Sequence, residues 1–253
     1  MDDEEPARAR IRHPASGRIV GAMRGGFACQ RGCIRSLPAM QFTAAFVAAL
    51  AHFDAPPIAT NPALAPVVLV HGIHATGGDM ARLAKFLRSQ GREVFTPTFK
   101  PANGGARIED LALQLSGFVG RELPGRKFDL VGFSMGGLIS RYYVQRLGGV
   151  DCVGHFVTMA APHNGSVLAN LRRAPGCVQM RPGSDFLRDL QGDADTLRRV
   201  KFTSFYTPLD TMIVPARSSE MPQAKNVRMW AAMHPSWVLE KRCIRAVAKA
   251  LGD

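Results

Sequence analysis

From Pro66 onward, short apolar runs alternate with segments whose apolar residues recur at helical spacing. The first run, "PVVLVHG" (Pro66–Gly72), is continuously apolar and ends in glycine, which is typical of a strand buried on both faces. The next segment, "GGDMARLAKFLRSQG", places its apolar residues on one helical stripe and stops at Gly91. Strands that alternate with helices predict an α/β fold, with a mostly parallel sheet covered by helices on both faces.

The same alternation continues to the end of the chain. Further strands are predicted at "EVFTPTF", "KFDLVGF", "HFVTMAAP", "KFTSFYTPL" and "NVRMWAAM". Helices are predicted at "RIEDLALQLSGFVGREL", "MGGLISRYYVQRLGG" and the closing segment "PSWVLEKRCIRAVAKAL". Open sheets of this kind bind ligands at the carboxyl ends of their strands, so candidate functional residues are sought there.

Residues 1–65 differ from the rest, and we expect a basic extension there and a catalytic domain over residues 66–253. The first part, "DDEEPARARIRHPASGR", is charged and without periodicity, which predicts disorder. Ser36–Phe53 contains no Asp, Glu, Lys or Arg, and Ala49 and Ala51 occupy the −3 and −1 positions of a signal-peptide cleavage site. A linker is predicted at Asp54–Pro66.

Two alternatives for Ser36–Phe53 stay open. A signal peptide would make the protein secreted or periplasmic. Its aromatic residues also fall at helical spacing, however, so a helix packed on the fold is the second alternative, and a cytoplasmic location would then follow.

The chain is strongly basic, with 32 Lys and Arg against 20 Asp and Glu. We expect no nucleic-acid partner, because the arginines are scattered and only 8% of residues are aromatic. The five cysteines are odd in number and match no zinc spacing, which favours structural thiols. We therefore expect neither a cofactor nor a metal site.

The stretch "VGFSMGG" (Val131–Gly137) places Ser134 between a predicted strand and a predicted helix. A serine there stands on a sharp turn, with its hydroxyl above the sheet, and needs small neighbours such as Gly132 and Gly136. A phosphate-binding loop is the alternative interpretation, but the stretch lacks the lysine and the glycine spacing of such loops. The pattern therefore favours a nucleophile.

A serine nucleophile requires a histidine base and an orienting carboxylate, which follow it in the order acid, then histidine, on this type of fold. His234 follows the final strand at its carboxyl end and is the predicted base; His163 is the rival, but it precedes any plausible acid. Asp210 follows the penultimate strand and is the predicted acid, ahead of Asp185 in an irregular stretch. Asp210 could instead cap its own turn.

An acyl-transfer site also needs donors for an oxyanion. The first predicted donor is the backbone N–H of Met135, directly after the serine. The second is the N–H of Ile73 in "VHGIHATGG", the turn after the first strand, where His71 and Gly72 allow a close approach.

Together these motifs resemble bacterial serine lipases and esterases of the α/β-hydrolase superfamily. The matching stretches are "LVHGIHAT", "LVGFSMGGLISRYY", "TMAAPHNGS", "QMRPGSDFL", "TPLDTMIVP" and "MHPSW", which cover Val67 to about Leu251. The resemblance implies an α/β-hydrolase fold with a small cap segment, carboxylic ester or lipid substrates, and Ser134, Asp210 and His234 as a catalytic triad.

Several functional alternatives use the same residues. Acyl transfer to another alcohol, or a binding protein that keeps the fold without turnover, remains open beside hydrolysis. The segment from His163 to Val200 is short for a large lid, so we expect part of it to line an acyl pocket. We expect a monomer; transient contact with a lipid surface stays open.

Overall fold

A computed structural model describes residues 60–231 and 233–252, and its centre is a six-stranded parallel sheet. The strands are β1 (Val67–Val70), β2 (Val94–Phe95), β3 (Phe128–Phe133), β4 (Val153–Met159), β5 (Lys201–Tyr206) and β6 (Lys225–Arg228). The α-helices are α1 (Ala81–Ser89), α2 (Ile108–Glu122), α3 (Met135–Arg146), α4 (Pro175–Gln179), α5 (Asp185–Gly192), α6 (Ser236–Leu239) and α7 (Lys241–Ala250). The predicted signal peptide or helix at Ser36–Phe53 lies outside the described residues.

Helices cover both faces of the sheet, as the apolar strands predict. In β1, Val68 and Val70 pack into one apolar core, whereas Val67 and Leu69 pack into a second core on the opposite face. The first core contains the buried faces of α2, α3 and α5, and the second contains those of α1 and α7. Successive side chains of a strand point to opposite faces of the sheet, and both faces are covered here. The strands are therefore continuous apolar runs in the sequence.

The order of the strands fixes where a site can form. The sheet runs β2-β1-β3-β4-β5-β6, so the chain leaves β1 toward one edge and returns to its other side at β3. Val70 and Gly132 are register partners near the carboxyl ends of these two strands. Ligands bind in the crevice at such a switch point. The turns that follow β1 and β3 are those that contain Ile73 and Ser134.

Several predicted elements are shorter than expected or are interrupted; β5 and β6, for example, end at Tyr206 and Arg228 rather than at Leu209 and Met233. The strand at "EVFTPTF" ends at Phe95, because Pro97 has no N–H to donate to a ladder. The closing helix is divided at Glu240, whose extended backbone (ψ 131°) separates α6 from α7. Trp237, Ile244 and Val247 are all buried at helical spacing across this break, so periodicity gives no sign of it.

The amino ends of the central strands hold a buried ion pair. Asp129 accepts from Arg92 Nη1 at 2.6 Å and from both the N–H and Nδ1 of His155 at 2.9 Å. This cluster lies at the opposite ends of the strands from Ser134, so it supports the sheet rather than the site. Within the described ranges, none of the helices has the length and apolar character that crossing a membrane requires.

Candidate active site

Ser134 occupies the tight turn between β3 and α3. Its φ of 55° and ψ of −125° are unusual for a residue other than glycine, and its side chain is buried at the base of a cavity. Two hydrogen bonds hold the turn: Ser134 N donates to the carbonyl of Met159, and Gly137 N donates to the carbonyl of Ser134, both at 2.9 Å. Strained backbone of this kind is characteristic of nucleophile turns.

Gly132 and Gly136 are required by the packing around this turn. A Cβ on Gly132 would lie 2.6 Å from the Gly136 carbonyl oxygen, and one on Gly136 would lie 2.4 Å from the Val70 carbonyl oxygen. Both distances are far inside normal contact with rigid backbone. The turn can therefore sit against β1 only with glycine at these positions, as the sequence predicts.

Asp210 and His234 meet at the carboxyl end of the sheet. His234 Nδ1 lies 2.9 Å from Asp210 Oδ2 and 3.0 Å from Oδ1. Oδ1 also accepts the backbone N–H groups of Met212 at 2.8 Å and Ile213 at 2.9 Å. The carboxylate thus caps its own turn and also bonds the histidine, an arrangement that fits both sequence interpretations of Asp210.

Two opposed influences act on the pKa of Asp210. Burial raises the pKa of this carboxyl, but the hydrogen bond and charge of His234, with the two backbone N–H groups, outweigh burial and hold it below the usual value. Asp210 therefore remains an acceptor, which places the proton of the neutral His234 ring on Nδ1. The lone pair of Nε2 is then free to accept a proton.

His234 is brought to the nucleophile turn by ring packing. Its imidazole lies against Phe133, the residue directly before Ser134, with 4.9 Å between ring centres. His234 is buried, with 7% of its surface exposed. The three residues predicted as a triad thus lie in the turn after β3 and in the loops that follow β5 and β6, at the carboxyl edge of the sheet.

The rival residues have different surroundings. His163 is fully enclosed, with Nε2 bonded to Thr158 Oγ1 at 3.0 Å, and burial together with the charge of Arg141 lowers its pKa well below the usual value. In the described part of the chain no carboxylate bonds to His163. Asp185 lies on the surface, where its side chain is 96% exposed and pairs with Arg188. Neither side chain is arranged for a triad.

The turn after β1 approaches Ser134 closely. A Cβ on Gly72 would lie 3.0 Å from the Cβ of Ser134, so only glycine fits without displacement. Ile73 lines the same cavity as Ser134. Met135 is the first residue of α3, and the first N–H groups of a helix have no partner inside it.

His71 orients this turn, a role that sequence reasoning missed. Its Nε2 accepts the N–H of Phe99 at 3.0 Å, so its Nδ1 carries the proton and donates to the Gly72 carbonyl at 2.9 Å. Because the peptide is trans, fixing the Gly72 carbonyl directs the Ile73 N–H the opposite way. The position of this histidine directly before Gly72 was the sequence signal from which its role in orienting the turn could have been predicted.

An apolar cavity of about 260 Å³ opens beside Ser134. The segment from His163 to Val200 contributes Leu168, Leu171 and Met180 to its lining. Phe186, Leu187 and Leu190 complete the first core instead, and Val167 and Val178 are exposed. Sequence reasoning did not assign several other residues of the lining to this cavity, among them His74, Arg172, Cys177 and Ile213. Among the residues that the structure describes, no group of His, Cys, Asp and Glu is arranged to hold a metal ion.

This fold is that of the α/β-hydrolases, and comparisons with known proteins agree. Residues 66–190 match the family model of palmitoyl protein thioesterases. The mature form of the Bacillus licheniformis lipase BlEst2 superposes with a TM-score of 0.64 at 18% identity, covering 76% of this chain and 94% of that one. Lipase B of Aspergillus fumigatus gives a TM-score of 0.66 at 16% identity, covering 76% of this chain and 53% of that one.

A gene product from Listeria innocua gives a TM-score of 0.55 at 15% identity, covering 74% of this chain and 94% of that one. This chain spans about half the length of the Aspergillus protein but nearly the whole of the mature Bacillus lipase. These likenesses show that the chain has the α/β-hydrolase fold, and the matches to lipases and to the thioesterase family model agree with the resemblance seen in the sequence motifs.

Proposed function

We propose that the protein is a serine hydrolase that cleaves carboxylic esters through an acyl-enzyme on Ser134. The observation that carries this proposal is the His234–Asp210 pair packed against the strained turn that places Ser134 in the wall of an apolar cavity. In the first step His234 Nε2 removes the proton of Ser134 Oγ, which attacks the ester carbonyl carbon. His234 then gives that proton to the leaving alcohol as the carbon–oxygen bond breaks.

Asp210 supports both steps through His234. It fixes the ring with Nδ1 protonated, so that Nε2 faces the reaction as a base, and it stabilises the imidazolium that forms. The carbonyl oxygen becomes negative in the tetrahedral intermediate, where the N–H groups of Ile73 and Met135 are the proposed donors. One such donor contributes about 10²–10³ in turnover. Water activated by His234 then releases the acid from Ser134.

The apolar cavity is the proposed acyl site. Buried Cys177, Met180 and Ile213 form its inner wall, and each methylene placed against such a wall gains about 0.8 kcal/mol. The acyl chain therefore provides binding energy while the ester carbonyl lies over Ser134.

The decisive experiment is labelling with a fluorophosphonate probe followed by peptide mapping. We expect modification at Ser134, no modification of Ser134→Ala, and loss of p-nitrophenyl butyrate hydrolysis in that variant. Ser140→Ala is the matched control, because Ser140 lies one helical turn and a half further along α3 and outside the cavity. An unlabelled but folded protein would favour a binding protein without turnover.

The same triad could also transfer the acyl group to an alcohol instead of water, or cleave thioesters instead of oxygen esters. Adding an alcohol to the ester assay and measuring transesterified product separates acyl transfer from hydrolysis. The match of residues 66–190 to the palmitoyl protein thioesterase model favours thioesters as a second substrate class. Butyrate esters and thioesters with matched leaving groups, compared by kcat/KM, decide between these two classes.

A further inference from the structure

Two cavities meet at His74, the residue that follows the proposed oxyanion donor Ile73. One is the apolar cavity that contains Ser134. The other is an open cleft of about 600 Å³ whose lining includes Thr76, Thr98, Lys100 and Asn103. Because His74 lines both, the apolar cavity lies next to a cleft that offers hydroxyl, amide and ammonium donors.

Arg172 stands at the junction of these two cavities. It is exposed, lines the apolar cavity, and its Nη1 lies 2.7 Å from His74 Nε2. Arginine only donates, so His74 Nε2 is the acceptor in this contact. The backbone is fixed as well, since Arg181 Nη2 donates to the Arg172 carbonyl at 2.9 Å. The guanidinium is thereby positioned at the mouth of the cavity.

The positive charge at this mouth is not balanced by a carboxylate. Within residues 60–231 and 233–252, neither Arg172 nor Lys100 forms an ion pair, and no Asp or Glu lines either cavity. The neighbouring acid is Asp79, whose carboxylate is bonded to the N–H and hydroxyl of Thr76. The charge also reaches inward, since Arg172 and Arg181 lower the pKa of the Cys177 thiol against the larger, raising influence of burial.

Building on the proposed ester hydrolysis at Ser134, we propose that the preferred substrates carry a phosphate group on the leaving alcohol or thiol. The buried side of the apolar cavity takes the acyl chain, which leaves the other half of the substrate facing the open cleft. A phosphate presents several acceptor oxygens, and these match a guanidinium, an ammonium and neighbouring hydroxyl groups. Arg172 and Lys100 would bind this phosphate, with His74 as the positioning residue of Arg172.

The test uses two soluble esters that differ by one phosphate: monobutyrin and butyryl glycerol phosphate. We expect a higher kcat/KM for the phosphorylated ester in the wild-type protein. Arg172→Gln and Lys100→Gln should each lower the ratio of the two kcat/KM values about tenfold, mainly by raising KM for the phosphorylated ester. Arg173→Gln is the control for charge, because Arg173 is exposed beside Arg172 but lines neither cavity.

Further measurements distinguish a coenzyme leaving group from a lipid-type one. They also distinguish failure of the phosphate preference from failure of the proposed ester hydrolysis. A second pair, butyryl-coenzyme A and an uncharged butyryl thioester, tests a coenzyme leaving group, whereas the glycerol pair tests a lipid-type one. A higher kcat/KM for the phosphorylated member of either pair supports the inference. Equal kcat/KM values within both pairs, or an equal loss in Arg173→Gln, would overturn it while ester hydrolysis stands. Failure of every ester, with Ser134 unlabelled by fluorophosphonate, would instead refute the proposed function.

Discussion

His234 Nδ1 bonds both carboxylate oxygens of Asp210, at 2.9 and 3.0 Å, across 24 positions of sequence. The carboxylate is itself held by the N–H groups of Met212 and Ile213. An acceptor fixed in this way can orient the imidazole only with Nδ1 protonated. The contact therefore determines which ring nitrogen faces the turn that carries Ser134.

Replacing Asp210 by Asn tests this orientation. The amide can donate to Nδ1 and so stabilise the wrong tautomer, which leaves the proton on Nε2. We expect kcat to fall about 10³–10⁴-fold in p-nitrophenyl butyrate hydrolysis. Asp185→Asn is the matched control and should keep wild-type turnover, because its side chain pairs with Arg188 on the surface. Damage by Asp185→Asn alone would identify a different acid.

The pH dependence follows from the lowered pKa of Asp210. A carboxyl whose folded pKa is depressed stays ionised until the pH falls through that value, so Asp210 remains charged throughout a neutral or mildly acid assay. Loss of activity on acidification then reports proton uptake by the histidine base. We expect kcat/KM to be low in acid, to rise toward neutrality and to stay high in mild alkali, as a histidine base requires. A maximum in acid would contradict a histidine base.

Much of this site was predictable because its signals are local. Ser134 is marked by close-set glycines between a strand and a helix, and Asp210 and His234 each follow a strand in the order that the fold requires. The contact of Arg172 with His74 joins side chains 98 positions apart and has no local pattern. The break at Glu240 also escapes prediction, since buried residues keep helical spacing on both sides of it.

Changing His71 tests how the second oxyanion donor is oriented. His71→Phe keeps a flat ring beside Phe99, whose ring centre lies 5.9 Å away, but removes the donor to the Gly72 carbonyl. Without that bond the Gly72–Ile73 peptide can rotate, and we expect kcat to fall about 10²-fold with KM little changed. His155→Phe is an informative comparison, because His155 belongs to the opposite ends of the strands. Unchanged kcat in His71→Phe would show that Ile73 needs no such support.

The buried Arg92–Asp129 pair predicts a cost to stability rather than to chemistry. Asp129→Asn leaves the Arg92 guanidinium buried without its counter-charge, so we expect a loss of about 3–5 kcal/mol in the free energy of unfolding. Urea unfolding followed by circular dichroism measures it, and the exposed Asp185→Asn should change little. A loss of kcat in a still-folded Asp129→Asn would contradict the assignment of this cluster to the sheet.

The segment above Ser134 is bound too firmly to the rest of the protein for a large mobile lid. Buried Arg141 donates from α3 to the carbonyls of His163 at 3.1 Å and Leu190 at 2.8 Å, and Ser166 Oγ donates to the carbonyl of Met212 at 2.7 Å. Opening this segment would remove both carbonyl acceptors from the buried guanidinium, which costs several kcal/mol. The hydrogen bonds of Arg141 and Ser166 therefore oppose a lid movement of this segment.

We expect short- and medium-chain esters to be cleaved in solution, with no jump in rate when tributyrin passes from dissolved to emulsified. The measurement is initial rate against tributyrin concentration across its solubility limit, with p-nitrophenyl butyrate in the same buffer as the control for the condition of the enzyme. A smooth saturation curve is the expected result. A sharp rise at the solubility limit, with emulsified long-chain triglyceride strongly preferred over soluble esters, would show that the segment from His163 to Val200 moves as a lid despite the hydrogen bonds of Arg141 and Ser166.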